Sequence, residues 1–268
     1  MKKILLIGLF ILSGLGAQSQ VLITLIFGDK LNSPNLEFGL EGGLNWANIS
    51  GLETNDFARK WNLGFYFDFR LKKQWFLYTG VLVKSNLGVD NLTVNDLNNL
   101  QATVYINNNG QALVGDYSQK LNYFMVPVLA KYRFKNNIYV ELGPQFGLMF
   151  KSWVEFDSEV EDIEAIFKEF NKDQINKLDA GAMFGMGYKF KSGPGWSLGA
   201  KYYYGFVDVY KNISGTKNSS IFLKLNIPIG AGEKAKEKNA RKAEEKKEKK
   251  EKKAAKAAEK AARKTEKE

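Results

Sequence analysis

Between residues 36 and 229 apolar and polar positions alternate one by one through eight separate segments. In the first, Leu36, Phe38, Leu40, Leu44 and Trp46 fall on one face, and Glu37, Gly39, Glu41, Gly43 and Asn45 on the other. In the second, Trp61, Leu63, Phe65, Phe67, Phe69 and Leu71 alternate with Asn62, Gly64, Tyr66, Asp68 and Arg70. Successive side chains of a strand point to opposite faces, so this period predicts strands with one apolar and one polar side. Six more follow at 75–85, 121–134, 138–150, 177–190, 196–205 and 220–229. In the fifth, Ile138, Val140, Leu142, Phe146, Leu148 and Phe150 oppose Tyr139, Glu141, Gly143, Gln145 and Gly147. In the eighth, Ile221, Leu223, Leu225, Ile227 and Ile229 oppose Ser220, Lys224 and Asn226. The third reads both ways, because Phe76, Tyr78 and Leu82 compete with Leu77, Val81 and Val83. The first two segments are close to the length, about ten residues, that a tilted strand needs to cross hydrocarbon.

Alternation does not say which face is outside, since a soluble lipocalin-like barrel alternates with its apolar face inward. Three features favour a membrane. Connections after the second, fourth and sixth segments are short (Lys72–Gln74, Lys135–Asn137, Lys191–Gly195), whereas the others are long. Short turns at one end and long loops at the other are the pattern of outer-membrane barrels. Trp46, Trp61, Trp75 and Trp196 stand at segment ends, where interfacial girdles form. The polar face carries full charges, Asp68, Arg70, Lys131, Glu141, Asp179, Lys189, Lys201 and Lys224, which suit a packed polar interior. Beyond the start of the chain no segment offers about 20 consecutive apolar residues, so a helical membrane protein is excluded. The fold expected is all-β: an eight-stranded antiparallel up-and-down transmembrane barrel over residues 35–230, followed by a charged helical or disordered tail.

The ends change the picture of compartment and charge. Lys2 and Lys3 precede an apolar run, Ile4 to Leu15, with Gly16, Ala17 and Ser19 after it. This predicts a secretory signal peptide over residues 1–19, cleaved after Ala17 or Ser19, and a periplasmic segment over 20–34. The competing reading, an uncleaved anchor continuing through Val21 to Phe27, is opposed by the polar Gln18, Ser19 and Gln20. The formal net charge of +10 belongs mostly to the tail, because residues 231–268 hold 14 Lys, 2 Arg and 9 Glu. The body is near neutral, which argues against a nucleic-acid partner. The tail contains no leucine or isoleucine to form a coiled-coil seam. Glu237 with Arg241 and Glu245 with Lys249 are helix-supporting pairs four residues apart.

A family resemblance enters with the strands from the fourth onward. The stretch Leu121–Phe134, with Tyr123, Pro127 and then Lys131 and Tyr132, resembles the fourth strand of the PorT-like outer-membrane barrel family. Tyr139–Pro144, Leu178–Gly181 with Gly185–Tyr188, and Tyr202–Gly205 followed by Asp208 are similar to its later strands. The resemblance, over about residues 35–229, implies an eight-stranded barrel with both termini periplasmic, and for some members a role in protein secretion. The Lys-rich tail has no counterpart in that pattern.

The chemistry available is limited. There is no histidine and no cysteine, so imidazole bases, thiol nucleophiles, thiolate metal sites and disulfides are all absent. Glu41, Asp68, Glu141 and Asp179 are the carboxylates left for catalysis. Pairing with Arg70, Lys131 and Lys201 to fill the barrel is the simpler expectation, because unpaired buried charge is costly. GxG spacings such as Gly185 and Gly187 lack the strand–turn–helix context of a nucleotide site; on the inward face glycine makes room for a large neighbour. No catalytic, cofactor or metal residue is therefore assigned, and no cofactor is expected. Two loops stand out. Ser158 and Glu161 form a capping box ahead of Val160, Ile163, Ile166, Phe167 and Phe170, predicting a short amphipathic helix. Two β runs around Asn109–Gly110, within Ala102–Val114, predict a projecting hairpin. The function expected is a non-enzymatic structural, binding or secretion-associated envelope component, in contact with outer-membrane lipid. Envelope proteins or peptidoglycan would be met through the basic tail. The alternatives are a small-solute channel and a carboxylate-based envelope enzyme.

Overall fold

A computed structural model describes residues 35–106, 109–158, 166–190 and 195–229. The expected signal peptide, the segment 20–34 and the tail 231–268 lie outside the described residues. The elements are β1 (Leu36–Ile49), β2 (Ala58–Lys72), β3 (Trp75–Val89), α1 (Val94–Asn99), β4 (Gly115–Arg133), β5 (Ile138–Ser158), β6 (Ile166–Phe170), β7 (Leu178–Lys189), β8 (Ser197–Asp208) and β9 (Lys217–Pro228). Every strand pairing is antiparallel, and the ring closes between β1 and β9 and between β4 and β5. Eight strands are staves, and β6 stands outside the ring, bonded only to the far end of β5. Closure leaves the staves without a free edge, which is the condition for crossing hydrocarbon with strands.

The expected alternation sets the two faces. On β5 outward Leu142 (59% exposed) and Phe146 (51%) are bare, as is Phe184 (51%) on neighbouring β7, while inward Tyr139, Glu141 and Gln145 of β5 are sealed. Glycine makes the interior fit: a Cβ at Gly187 or Gly199 would collide with the Tyr139 hydroxyl between them. The short turns β2–β3, β4–β5 and β7–β8 define a turn end. The longer connections define a loop end, and α1 lies in one of them.

Besides register shifts near strand ends at Arg70–Lys72 and Tyr204–Asp208, two bulges interrupt the period within β3 and β5. On β3, Leu63 faces Lys84 but Gly64 faces Leu82, so Val83 is extra. On β5, Asn122 faces Lys151 but Tyr123 faces Met149, so Phe150 is extra. Each bulge puts two consecutive residues on the outer face, Val83 with Lys84 and Phe150 with Lys151.

The structure corrects several expectations. No helix occupies Ile166–Phe170. These residues are β6, paired with Trp153–Asp157, and Ser158 ends β5 rather than capping a helix. The rest of that expected helix, 159–165, lies outside the described residues. The physical reason is β5 itself, which runs eight residues past its expected end at Phe150 and offers an edge to the next apolar run. β4 likewise begins at Gly115 rather than at residue 121. The Ala102–Val114 loop contains a narrow β-bridge, Ile106 to Ala112. Instead of projecting freely, its first arm lays Tyr105 on Tyr117, Phe156 and Phe167. The helix α1 was not expected, although Thr93 and Asp96 form its capping box.

Candidate functional site

The interior divides into two halves of different chemistry. Toward the turn end, four carboxylates meet four ammonium groups. Lys131 Nζ lies 2.9 Å from Asp68 Oδ2, Lys189 pairs with Glu37, Lys201 with Glu41, and Lys224 with Glu141. Tyr78 is the hub. Its hydroxyl donates to Glu41 and accepts from Asn226 Nδ2 at 3.1 Å. Its ring lies 4.1 Å from Lys224 Nζ and 4.9 Å from Lys131 Nζ. Tyr139 takes the same two cations on its face, with Lys131 at 4.3 Å. Buried charge is tolerated here because each ion has a counter-ion, and the ring faces add cation–π attraction in a desolvated space.

The sequence-selected residues are only partly brought together in this way. Glu41, Asp68, Glu141, Lys131 and Lys201 meet as expected, with Lys224 as the partner of Glu141. Asp179 is in no ion pair with a lysine among the described residues; its carboxylate accepts from Asn218 Nδ2 at 2.9 Å. Arg70 pairs with no carboxylate among the described residues and lies over the Phe76 ring at 5.4 Å. It stands at the turn-end mouth, where water solvates it. Tyr78 and Tyr139 were not singled out as partners of these charges. The signal for Tyr78 was its place in the strand whose phase was ambiguous.

Toward the loop end the inward positions turn apolar. Ala47, Ile49, Leu87, Val89, Leu121, Met149, Val154 and Phe156 form a plug with Leu92, Leu97 and Leu100 from the α1 segment and with Val209 and Tyr210. Polar residues tie the plug to the staves. Gln119 on β4 accepts from Tyr210 Oη at 2.9 Å and from Asn171 Nδ2 at 2.8 Å, and its Nε2 donates to Ser152 at 3.2 Å. Burial pushes the Tyr210 phenol far above its ordinary range, so it remains a donor. Asp96, sealed beneath the loops, accepts from the backbone N–H groups of Glu53, Thr54 and Thr93. Together with Glu53, which accepts from Thr93 Oγ1 and Asn95 Nδ2, each at 3.0 Å, that carboxylate joins the β1–β2 loop to α1.

The outer face carries an apolar belt between two aromatic rims. At the turn end Trp75 and Phe134 both meet Tyr132 edge-on, and Tyr188 meets Phe190. At the loop end Trp61, the Phe124–Phe150 stack (4.6 Å) and Trp153 with Phe170 mark the other rim. Ten residue steps separate Phe124 from Phe134. At ~3.3 Å per step and a tilt near 40°, they span roughly 25 Å, the height of a hydrocarbon band. Above this rim an ion-pair ribbon crosses neighbouring strands. Asp90 holds Lys60 and Lys120, and Glu155 holds Lys120 and Lys168. Partial burial pushes the Glu155 carboxyl up, but the hydrogen bond from Trp153 and the charges of Lys120 and Lys168 outweigh it and hold the group below the usual range. A groove of about 760 Å³ runs along this end, lined by Trp46, Phe57, Arg59, Asp116, Lys120 and Asp157 among others. Lys60, Asp90, Lys120 and Lys168 were not singled out in the sequence.

A closed ring of tilted strands, charged within and apolar without between two aromatic rims, defines a small transmembrane β-barrel whose interior is filled by side chains. The family profile described as an outer membrane protein beta-barrel domain matches residues 17–211, and the chain belongs to that family, which places it in the bacterial outer membrane. No curated protein matches the sequence. Among solved structures it is similar to Ail, the attachment invasion locus protein of Yersinia pestis, in complex with the heparin analogue sucrose octasulfate. The identity is 15% and the TM-score 0.35, over 72% of this chain and 96% of that one. It is similar to Neisserial surface protein A at 11% identity and a TM-score of 0.37, over 72% and 96%. It is also similar to OprG from Pseudomonas aeruginosa at 12% identity and a TM-score of 0.30, over 75% and 96%.

Proposed function

We propose that this chain is a non-catalytic binding or structural component of the outer membrane, with its interior closed to solute flow and its loop end as the contact surface. The observation that carries the reading is the filling of the barrel in both halves, by the charged network around Tyr78 and by the apolar plug over it. An eight-stranded barrel is only wide enough for such a filling. The absence of histidine and the engagement of Glu37, Glu41, Asp68 and Glu141 by lysines support the non-catalytic part. Planar-bilayer recordings of the purified chain are expected to show no stable conductance steps. Stable, large steps would overturn the closed interior and favour a small-solute channel. One observation favours that second reading. Following the charged residues toward the loop end, Asn45, Asn62, Ser85 and Gln145 carry buried polar atoms without a partner, the kind of lining that water occupies.

The finer part of the proposal concerns topology and partners. The short turns and both termini face the periplasm, the long loops face outward, and the basic tail adds electrostatic contacts with peptidoglycan or an anionic envelope protein. The PorT-like strand motifs support a secretion-associated role. Deleting residues 231–268 is expected to leave the heat-modifiable gel mobility of the barrel intact while co-purification of envelope partners falls. Unchanged co-purification would remove the tail from the function.

A further inference from the structure

Both bulges lie opposite the same short stretch of β4, Asn122–Met125, one on each side of it. Without them, strict alternation would turn Lys84 and Lys151 into the barrel, since Leu82 and Met149 two residues earlier face inward. With them, both ammonium groups emerge on the outer face at the upper edge of the apolar belt. Bulges at barrel rims commonly re-aim a side chain in this manner. Each lysine is then held on an aromatic surface. Lys84 Nζ lies 3.7 Å from the centre of the Trp61 ring. Lys151 Nζ lies 5.0 Å from Trp153 and 5.4 Å from Phe170. Between them the Phe124–Phe150 stack presents a bare apolar surface.

Charge divides this rim unevenly. The nearby carboxylates Asp90 and Glu155 are engaged by Lys60, Lys120 and Lys168. Lys84 and Lys151 are in no ion pair among the described residues. Two uncompensated cations therefore flank an apolar strip; their strands lie two spacings apart, about 10 Å between backbones, with Lys84 leaning onto Trp61 of β2 and Lys151 toward Phe170 of β6. That is the signature of an amphiphile with an anionic head: acyl chains along Phe124 and Phe150, and phosphate at the lysines.

We propose that Lys84, Lys151 and the rings beneath them form a binding site for a membrane lipid whose phosphate-bearing head is net anionic, with the headgroup held by the two bulge lysines. The site is continuous with the lipid-facing belt. It rests on the membrane placement of the barrel rather than on the closed interior or the tail, so either of those readings can fail without it.

The test uses the full chain in phosphatidylcholine vesicles doped with bis-phosphorylated lipid A or with its phosphate-free counterpart. After extraction, lipid retained on the folded barrel is measured by native mass spectrometry. The phosphorylated form is expected to be retained in preference, and less so at high salt. The Lys84→Gln/Lys151→Gln variant should lose roughly thirtyfold in retention. Lys84→Arg/Lys151→Arg should keep it, and Lys72→Gln/Lys73→Gln at the turn end should be neutral. Both lysines of the site are on the outer surface, and gel mobility checks that each variant is folded. Equal retention of the two lipid forms, or no loss in the glutamine variant, would overturn the proposal, as would no retention at all.

Discussion

The two halves of the barrel interior are lined by the same strands, with β3 and β5 changing phase at their bulges, yet they are stabilised in opposite ways. Toward the turn end the inward residues are ions: Glu37, Glu41, Asp68 and Glu141 against Lys131, Lys189, Lys201 and Lys224. Toward the loop end β1 continues inward with Ala47 and Ile49, β3 with Leu87 and Val89, and β5 with Val154 and Phe156. The charged half is held by complementarity, where each partner is tolerated only because of the other. The apolar half is held by contact area, where each residue contributes on its own. One half should fail when any single ion is removed, and the other should weaken by degrees.

The largest effect is therefore expected at a single charge. Lys224→Met removes the counter-ion of Glu141 and a cation over the Tyr78 and Tyr139 rings. Stranding a buried carboxylate costs about 3–5 kcal/mol. The folded barrel should lose heat-modifiable mobility at a markedly lower temperature or urea concentration. The double variant Lys224→Met/Glu141→Met should recover most of that loss, since replacing both ions leaves no orphan. A double variant as unstable as the single would show that the packing around Tyr78, and not charge balance, holds this half.

A smaller and more local effect is expected in the plug. Leu97→Ala on α1, at a fully buried position, removes about 2–4 kcal/mol of packing. α1 is tied to the rest by Asp96 and the loops, so the loss should appear as faster proteolysis within residues 90–114 while the thermal transition of the staves barely moves. A matching drop in barrel stability would mean that the two halves unfold as one unit and that the distinction between them is only chemical.

How much of this was legible in the sequence follows from the same division. The alternation of β1 and β9, and of β2 up to the register shift at Leu71, is unbroken, and from it came these staves and their two faces; the loop lengths, the tryptophans at segment ends and the charges on the polar face turned the apolar face to lipid. Where a bulge adds a residue, the phase changes and the reading failed. The third strand reads as having two apolar faces because its inward positions Phe76, Tyr78 and Leu82 are themselves large and apolar or aromatic, and the extra Val83 then reverses the phase for Ser85 and Leu87 beyond it. The extra Phe150 ended the apparent period of β5 and hid Ser152, Val154 and Phe156, which face the plug. The apolar run at Ile166–Phe170 fits a helical face as well as a short strand. Only the extended edge of β5 decides between them, and that edge was itself concealed by the bulge. Pairings of side chains far apart in sequence, such as Lys224 with Glu141, depend on which staves close the ring and leave no local trace.

The smallest effect concerns an ion pair outside both halves, and it isolates what burial does. Lys217 Nζ lies 2.9 Å from Asp208 Oδ1 at the loop end, the same separation as Lys131 to Asp68 inside the barrel. Asp208 is partly exposed, whereas Asp68 is sealed, so its contact is screened by water and contributes little. Its carboxyl is nevertheless held below the ordinary range, first by the hydrogen bond from Lys217 and then by N–H groups of the turn, with Gly215 N at 2.8 Å. A carboxylate depressed in the folded state stabilises above its unfolded pKa of about 3.9, and the contribution fades as pH falls through the lower folded value. Below about pH 4, amide exchange at Gly215 and Thr216 should quicken in the natural chain relative to Asp208→Asn, which lacks the titration; at neutral pH the natural chain should be the better protected. The staves, measured in the same experiment, should not respond to this substitution. Identical pH profiles for the two chains at the turn would show that the Asp208 charge does not hold it, and that the backbone hydrogen bonds between Ser50 and Lys217 and between Val209 and Thr216 suffice.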